Sequence, residues 1–430
     1  MLDADDWFYE APPMLQGEIF VPFDWTPANK ATEDSIHQLA ERLGLSNYKG
    51  QTLTQEKIKI ALSGFVIACT GRFGGYICWS MNANAYAGEF VGYRIATEVL
   101  AAIVKHDLIK KIQDPECGRA AIWQVNFPVP TGLRFKEHEH RSLIEVRATP
   151  ENKGKKGKRL SLKKFDKEEV ELREAEMATI NAMLAKNPLY DSATGLSYNR
   201  CRRVFNNGSL SSGGRLIGRW QGLKSEKRLA MTINDNEVCE IDTVSSFLYI
   251  ANCLTGNTMV LERDPFASFS YVQQQKTSEE KKKARKAVKM FTIAFLCNGQ
   301  KMTRWPDQRY DAATGEEINM SEKYNIPNYT KPHHWVKELK QKWPFLVDCN
   351  LDAGQLMIKE STVLTKALLT LAEKNLVGYG IHDCILCPTK DKEKVVEAYQ
   401  LAMIDVLGST AFLEIEQQGG KKTLVEQILP

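Results

Sequence analysis

The sequence predicts an α+β protein whose C-terminal half is an antiparallel sheet covered by helices on one face. Three observations support this fold class. The 430 residues are 43% hydrophobic and 26% charged, which is typical of a globular protein. From residue 237 onward, the patterns follow one another as strand, helix, helical insertion, helix, strand pair, helix and strand. The preceding half mixes helical and strand patterns as well.

Composition and charge bear on three questions, namely nucleic-acid binding, membrane insertion and secretion. The 57 basic and 53 acidic residues leave a net charge of only +4, so any nucleic-acid binding must come from the local distribution of charge. No apolar stretch is long enough to span a bilayer, and the acidic first ten residues lack the basic and apolar regions of a signal peptide. Ten cysteines are scattered along the chain, most of them in apolar stretches. We therefore expect a reduced, cytoplasmic protein.

Residues 1–135 are predicted to form a winged-helix-like N-terminal domain. Helical patterns at 55–67 and 90–112 alternate with strand patterns at 75–81 and 119–129. Two helices followed by a strand pair is the order of a winged-helix module, which is related to the helix-turn-helix DNA-binding family. A small α+β packing domain is the alternative interpretation.

Residues 136–200 combine a basic hairpin with a charged helix. Strand patterns at 142–147 and 159–162 flank a break, and a helical pattern covers 167–184. The stretch 153–164 contains seven basic residues and no acidic one. It is either a solvated loop or a hairpin tip that contacts phosphate groups.

Residues 201–430 contain the elements of the predicted antiparallel sheet. The first is a strand at 237–242, and the helical insertion covers about 256–350. The other predicted elements are helices at 281–297, 358–374 and 391–407, a strand–turn–strand at 376–388 and a last strand at 411–416.

Two aspartates stand where apolar strands end. Asp242 closes the strand at 237–242, and Asp383 stands at the bend of the strand pair at 376–388. Carboxylates in such places are costly to bury unless they are paired or bind a cation. Each of them, taken alone, could instead cap a helix or shape a turn.

The helix at 281–297 has one apolar face and one basic ridge. The residues Ala284, Val288, Phe291 and Phe295 form a narrow stripe, and Lys282, Arg285, Lys286 and Lys289 lie opposite. Along the ridge, Arg285, Lys289, Ile293 and Cys297 follow one another at i, i+4 spacing. Such a ridge could hold a triphosphate at its basic end and a base or sugar at its apolar end, or it could be a solvated face. Together with two carboxylates it indicates two-metal phosphoryl transfer with Mg²⁺.

Four segments together resemble the family A polymerases. Residues 240–248 (EIDTVSSFL) look like motif A, the Arg285-x3-Lys289 helix like motif B, and residues 381–383 (IHD) like motif C. Motif B follows Asp242 by 43 residues and motif C by 141, in the family's order. The stretch 213–221 (GGRLIGRWQ) resembles the arginine-containing segment that precedes motif A in that family. The resemblance covers about residues 202–430.

The resemblance implies roles for individual residues. Asp242 and Asp383 would bind two Mg²⁺ or Mn²⁺ ions, helped by the backbone carbonyl of Thr243. The incoming nucleotide would contact a set of residues from motifs A and B, namely Arg285, Lys289, Ile293, Cys297 and Phe247. The primer or template would contact His382, Arg215, Arg219 and Glu360. Residues 201–430 would form a right-hand palm with fingers inserted at about 256–350, and residues 136–200 would be thumb-like.

Several positions depart from the family pattern. Phe247 stands where a glutamate is usual, Ile293 and Cys297 replace the aromatic residues of the finger helix, and Cys384 replaces an acidic residue. These positions govern sugar discrimination and base stacking, so the choice between deoxy- and ribonucleotides is open. A bulky Phe247 could still exclude a 2′-hydroxyl sterically.

The predicted function is template-directed nucleotidyl transfer, as a small DNA polymerase without a 3′–5′ exonuclease. It would act on a DNA primer–template with dNTPs. A single-subunit RNA polymerase or a primase, which would use RNA or NTPs, is one alternative, because these enzymes share the palm. A winged-helix replication initiator with an inactive palm is an alternative of another class.

Overall fold

The computed structural model describes residues 18–46, 52–70, 75–86, 89–115, 120–138, 142–151, 157–257, 259–298, 302–308, 318–347 and 349–425. These residues form an α+β protein, as the sequence predicts. Part of the predicted basic tip at 153–164, and the acidic first ten residues, lie outside the described residues. Of the helices that are described, none is both long and apolar enough to cross a membrane.

The strands lie along the whole described chain. In chain order they are β1 (Glu18–Phe20), β2 (Trp25–Pro27), β3 (Tyr76–Trp79), β4 (Ile109–Gln113), β5 (Ala121–Val125), β6 (Phe135–Glu137), β7 (Ile144–Arg147), β8 (Arg159–Leu160), β9 (Leu189–Asp191), β10 (Leu196–Tyr198), β11 (Cys201–Phe205), β12 (Gly213–Gly218), β13 (Thr232–Ile233), β14 (Asn236–Thr243), β15 (Asp307–Gln308), β16 (Ile318–Asn319), β17 (Tyr379–Ile381), β18 (Cys384–Pro388), β19 (Leu413–Gln417) and β20 (Lys421–Val425).

The α-helices lie between the strands, singly or in groups of two or three. In chain order they are α1 (Lys30–Arg42), α2 (Thr52–Cys69), α3 (Tyr93–Lys105), α4 (Lys167–Lys186), α5 (Ser225–Arg228), α6 (Ser246–Leu254), α7 (Ser270–Gln273), α8 (Ser278–Cys297), α9 (Met320–Lys323), α10 (Pro332–Lys342), α11 (Ala353–Glu373) and α12 (Lys392–Leu407).

The described chain divides into two compact units. The N-terminal unit comprises residues 18–138 and 188–200, and the C-terminal unit comprises residues 142–187 and 201–425. The division into three functional domains, with boundaries at 135 and 200, stays a prediction.

The N-terminal unit contains a four-stranded sheet of order β1-β3-β5-β4. Its elements follow one another as α2, β3, a short 3-10 helix at Ala83–Tyr86, α3, β4 and β5. The predicted helix at 90–112 is wrong at its C-terminal end, because α3 stops at Lys105 and Ile109–Gln113 is strand β4. Asp107 takes a left-handed conformation with φ 54°, and Ile109 then pairs with Val125 of β5. Sheet pairing across the chain thus overrides the local helical pattern.

The C-terminal unit is built on an antiparallel sheet of order β17-β18-β14-β19-β20. Each predicted strand from 237–242 onward has its counterpart in β14, β17, β18 or β19, whereas β20 was not predicted. The helices α11 and α12 pack against each other and against strands of this sheet. Cross-strand pairing holds β14 in the centre, between β18 and β19.

Helix α8 packs through the apolar stripe that its sequence predicts. A capping box between Thr277 and Glu280 starts the helix, and the Ala284–Val288–Phe291–Phe295 stripe is buried. An aromatic cluster covers this stripe, with ring centroids of Phe291 5.4 Å from Trp305 and 5.2 Å from Trp335. The opposite side of the helix keeps Lys282, Lys286 and Lys289 exposed.

Candidate active site

Strand pairing brings Asp242 and Asp383 together although 141 residues separate them. Asp242 lies opposite Cys384 in the antiparallel pair of β14 and β18, next to Asp383. The backbone N–H of Thr243 donates a 3.0 Å hydrogen bond to the carbonyl oxygen of Asp383. His382 and Asp383 form the two-residue turn between β17 and β18, and His382 has φ 54°, which is unusual for a residue with a side chain. Both carboxylates therefore lie at the same edge of the sheet, each of them half-buried.

The pKa of Asp242 reflects the closeness of Asp383. Burial raises the pKa of the Asp242 carboxyl well above its usual value, the charge of Asp383 raises it further, and the Lys289 ammonium opposes both. Glu414, which lies opposite Asp242 on β19, also raises that pKa. Glu414 itself is paired with Lys422. The site thus concentrates negative charge in a partly desolvated place, which a cation would relieve.

Tyr399 of α12 fixes the backbone beneath the two carboxylates. Its hydroxyl donates to the carbonyl oxygen of Asp383 at 2.8 Å and accepts from the Thr243 hydroxyl at 3.0 Å. Burial, followed by the charge of Asp383, raises the pKa of the Tyr399 phenol well above its usual value, so it stays a neutral donor. Sequence reasoning missed this residue, because a tyrosine on an amphipathic helix carries no local signal of such contacts.

The four residues of the predicted ridge of α8 differ in their exposure and in their partners. Lys289 is exposed and lies near enough to Asp242 to lower its pKa. Arg285 is half-buried, and its Nε lies 2.5 Å from Oδ2 of Asp264. Ile293 is half-buried and Cys297 is buried. The ion pair with Asp264 was not predicted, because the two partners are 21 positions apart and no periodic pattern links them.

The buried carboxylate of Glu360 connects Arg215 to the start of helix α6. Nη2 of Arg215 lies 2.9 Å from Oε1 of Glu360, and the hydroxyl of Ser246 donates to Glu360 at 3.3 Å. The guanidinium of Arg215 also lies 5.5 Å from the ring centroid of Phe247. Burial raises the pKa of Glu360 to about 7 against the opposing charge of Arg215, and the charge of Asp383 contributes to the rise. Glu360, Arg215 and Phe247 therefore form one contact group beside Asp383.

Arg219, the other predicted primer-contacting arginine, is exposed at the end of β12. The two residues that follow Arg219 form hydrogen bonds to strand β17. Nε1 of Trp220 and Nε2 of Gln221 both donate to the carbonyl oxygen of Gly380, at 3.1 and 2.9 Å. These two bonds hold the strand that leads to His382, a role that the sequence did not reveal.

The donor set at the sheet edge suits a hard cation. Among the described residues, no group of three or more histidine, cysteine, aspartate or glutamate side chains could hold a metal ion by itself. Asp242 and Asp383 offer two carboxylates, which is the usual protein share of a Mg²⁺ site that keeps waters and completes its shell with substrate phosphates. The two carboxylates therefore fit the predicted ions, and the backbone carbonyl of Thr243 as a further ligand stays a prediction.

Comparisons with known proteins leave the family of this chain open. No protein-family model matches the sequence. No curated protein matches it either. Among solved structures, the chain is similar to the POL domain of Pol1 from M. smegmatis, solved in complex with DNA primer-template and dNTP. The match has 12% identity and a TM-score of 0.22, and it covers 58% of this chain and 52% of that chain. This chain therefore spans about half the length of the POL domain chain that it matches.

Proposed function

We propose that this chain is a template-directed nucleotidyltransferase, a small DNA polymerase that adds dNTPs to a primer 3′-hydroxyl. The observation that carries the proposal is the meeting of Asp242 and Asp383 at one sheet edge, with the Lys289 ammonium close to Asp242. An acid pair can hold the two metal ions of phosphoryl transfer, and a neighbouring lysine can neutralise charge on the substrate phosphates. The ordered likeness to motifs A, B and C adds to this support.

Each residue of the site has a task in this proposal. Asp242 and Asp383 would hold two divalent ions, which supply activation of the primer hydroxyl and neutralisation of the leaving pyrophosphate when bound. Lys289 would bind the triphosphate, and Arg285 would join it after exchanging Asp264 for phosphate. Tyr399 would keep the Asp383 backbone in position.

Phe247 is proposed to contact the sugar of the incoming nucleotide. Arg215 lies over its ring, and the buried Glu360 holds Arg215 in turn. A side chain that is braced in this way would present a fixed apolar surface at the nucleotide site. An RNA polymerase or a primase is the second candidate, and the sugar preference separates it from a DNA polymerase.

The N-terminal unit is proposed to be a winged-helix-like DNA-binding module. Its order of α2, β3, short helix, α3, β4 and β5, with β5 between β3 and β4 in the sheet, supports this assignment. The exposed face of α3 carries Arg94 and Lys105. This topology also favours the alternative of a replication initiator, which would bind DNA without incorporating nucleotides.

Primer extension tests the proposal. The wild-type protein is incubated with a primed template, Mg²⁺ and either dNTPs or NTPs, and extension is followed on a denaturing gel. Asp242→Asn and Asp383→Asn should each lower the rate about 1,000-fold or more, because each removes a ligand of the ions that stabilise the transition state. Asp405→Asn, an exposed aspartate of α12, is the matched control and should extend normally. Incorporation that survives Asp242→Asn would refute two-metal catalysis at this site, and incorporation of NTPs alone would favour the RNA polymerase or primase.

A further inference from the structure

The guanidinium group of Arg285 is paired with one carboxylate. Its Nε lies 2.5 Å from Oδ2 of Asp264, which belongs to the loop between α6 and α7. Within the part of the chain that the structure describes, no other side chain contacts this guanidinium group. Lys289, one helical turn further along the same ridge, is exposed and lies near Asp242. The two cations that are proposed to bind the triphosphate are therefore unequal, because Arg285 already has an anionic partner.

The loop holds Asp264 in a fixed position. Oδ1 of Asp264 accepts a 3.2 Å hydrogen bond from the backbone N–H of Phe266, and its backbone carbonyl accepts one from Ala267, also at 3.2 Å. Phe266 is buried, and its ring centroid lies 6.0 Å from that of Trp343. An aspartate that accepts from the backbone two residues further on forms an Asx-turn, which fixes the direction of its carboxylate. Asp264 therefore cannot follow the guanidinium group of Arg285 if that group moves.

The side chain of Arg285 has more freedom than that of Asp264. It keeps 41% of its surface exposed, and its contact with Asp264 uses Nε, so the two terminal nitrogens are left for other acceptors. An ion pair with this exposure is weak, because water screens the two charges. A phosphate oxygen fits the guanidinium fork as well as a carboxylate does, and a phosphate chain carries more charge. A nucleotide can therefore displace Asp264 from Arg285.

The position of Arg285 on α8 decides which phosphate it would meet. Arg285 precedes Lys289 by four residues, which is about 6 Å along a helix. Lys289 lies near Asp242, where the reacting phosphate would sit beside the two metal ions. In the proposed function, a triphosphate that reacts at Asp242 and Asp383 would pass Lys289 and end at Arg285. The carboxylate of Asp264 thus lies where the terminal phosphate would bind.

We propose that Asp264 is a positioning residue that competes with the terminal phosphate of the incoming nucleotide for Arg285. This inference rests on the proposed function, because it assigns a competitor to the triphosphate site of that reaction. Nucleotide binding exchanges the Asp264 carboxylate for a phosphate oxygen at the guanidinium group. When pyrophosphate leaves, Asp264 pairs with Arg285 again. The pair therefore lowers the affinity for the nucleotide and eases the release of the product.

Isothermal titration calorimetry of the full chain tests the competition. The titrations use dATP or dADP with Mg²⁺ and without primer–template, so that no nucleotide is incorporated. Asp264→Asn should lower Kd for dATP about threefold, because the amide oxygen can still accept from Phe266 while the charge that holds Arg285 is gone. Kd for dADP should stay the same, since dADP lacks the third phosphate. Loss of a structural residue would not tighten binding, whereas loss of a competitor does.

Two further variants separate the competition from a general effect of charge. Glu262→Gln removes a carboxylate of the same loop, whose partners are Lys342 and Ser268, and it should leave Kd for dATP unchanged. In an Arg285→Gln background, Asp264→Asn should have no effect on Kd, because the group for which Asp264 competes is missing. A threefold gain that persists without Arg285 would overturn the inference.

The outcomes also separate this inference from the proposed function. Circular dichroism checks folding, and Asp264→Ser, whose hydroxyl can also accept from the backbone two residues on, replaces Asp264→Asn if that variant is unfolded. An unchanged or raised Kd for dATP in the folded variant, or an equal gain for dADP, would overturn the competition even if the wild-type protein extends primers. Tighter binding of dATP alone, with no extension by the wild-type protein, would sustain the competition and overturn the polymerase. Absence of dATP binding by both proteins would overturn both.

Discussion

The backbone N–H of Thr243 donates a 3.0 Å hydrogen bond to the carbonyl oxygen of Asp383. This bond joins the end of β14 to the turn before β18, so it sets the distance between the strand ends that carry the two candidate catalytic carboxylates. Tyr399 bonds to both of these residues through one hydroxyl group. The geometry of the site therefore depends on a few polar contacts within an apolar sheet.

Replacing Asp242 by asparagine should stabilise the metal-free protein. The folded-state pKa of Asp242 is raised, so its ionised form is less favourable in the folded than in the unfolded chain at neutral pH. The asparagine side chain carries no charge, and we expect the melting temperature in EDTA to rise by about 2 °C or more. Thermal unfolding followed by circular dichroism measures this, with Asp405→Asn as the control. A lower melting temperature for Asp242→Asn than for the control would contradict the prediction.

Adding Mg²⁺ should stabilise the wild-type protein and leave the double variant Asp242→Asn/Asp383→Asn unchanged. A ligand that binds the folded chain alone adds about 2.7 kcal/mol to the free energy of unfolding at a hundredfold excess over Kd. Urea unfolding with and without Mg²⁺ gives the difference. Equal Mg²⁺ stabilisation of both proteins would mean that the ion binds elsewhere.

Removing the ammonium of Lys289 should weaken nucleotide binding. Lys289→Ala is expected to raise KM for dNTP about tenfold or more, because a charge-assisted contact to the triphosphate is lost. Lys282→Ala is the matched control, since Lys282 is also an exposed lysine of α8. Steady-state primer extension gives KM for both variants. Equal effects of the two substitutions would indicate a general effect of charge rather than a phosphate contact.

Tyr399→Phe should lower both stability and turnover. The substitution removes the hydroxyl that bridges Thr243 and Asp383, at a cost of about 1–3 kcal/mol in the free energy of unfolding. It should lower kcat more than it raises KM, because it acts on the position of Asp383 rather than on the nucleotide contacts. Tyr329→Phe, whose side chain is 79% exposed, serves as the control. Urea unfolding and primer extension measure the two effects, and an unchanged kcat would argue against this positioning role.

Glu145 should make stability depend on pH in the acidic range. Burial acts to raise its pKa, but the guanidinium groups of Arg202, Arg147 and Arg159 outweigh it and hold that pKa below the ordinary value of 4.5. Its contribution is therefore present above that value and is lost as the pH falls through the folded pKa. Glu145→Gln should be less stable than the wild type near neutral pH and should show a shallower decline on acidification. Urea unfolding at a series of pH values checks this. Parallel pH profiles for the two proteins would show that Glu145 is not the group responsible.

Much of the fold was predictable from local patterns. The apolar stripe of α8 and the strands around Asp242 and Asp383 follow from side-chain periodicity, which depends on neighbours within a few residues. The end of α3 was missed because Ile109 is recruited by Val125 of the sheet, a contact that no local window contains. Pairing across the chain decides such boundaries.

The sequence by itself determined which side chains stand at strand ends and on helix faces, since a residue's place in its own element follows from spacing of 2 or 3.6 residues. It therefore singled out Asp242, Asp383 and Lys289. The tertiary structure alone decided which of these meet and what holds them. The pairing of Arg285 with Asp264, the support from Tyr399 and the shared face of Arg147, Arg159 and Arg202 all depend on the register between strands and the packing of distant helices. Those contacts are long-range, and no periodicity along the chain encodes them.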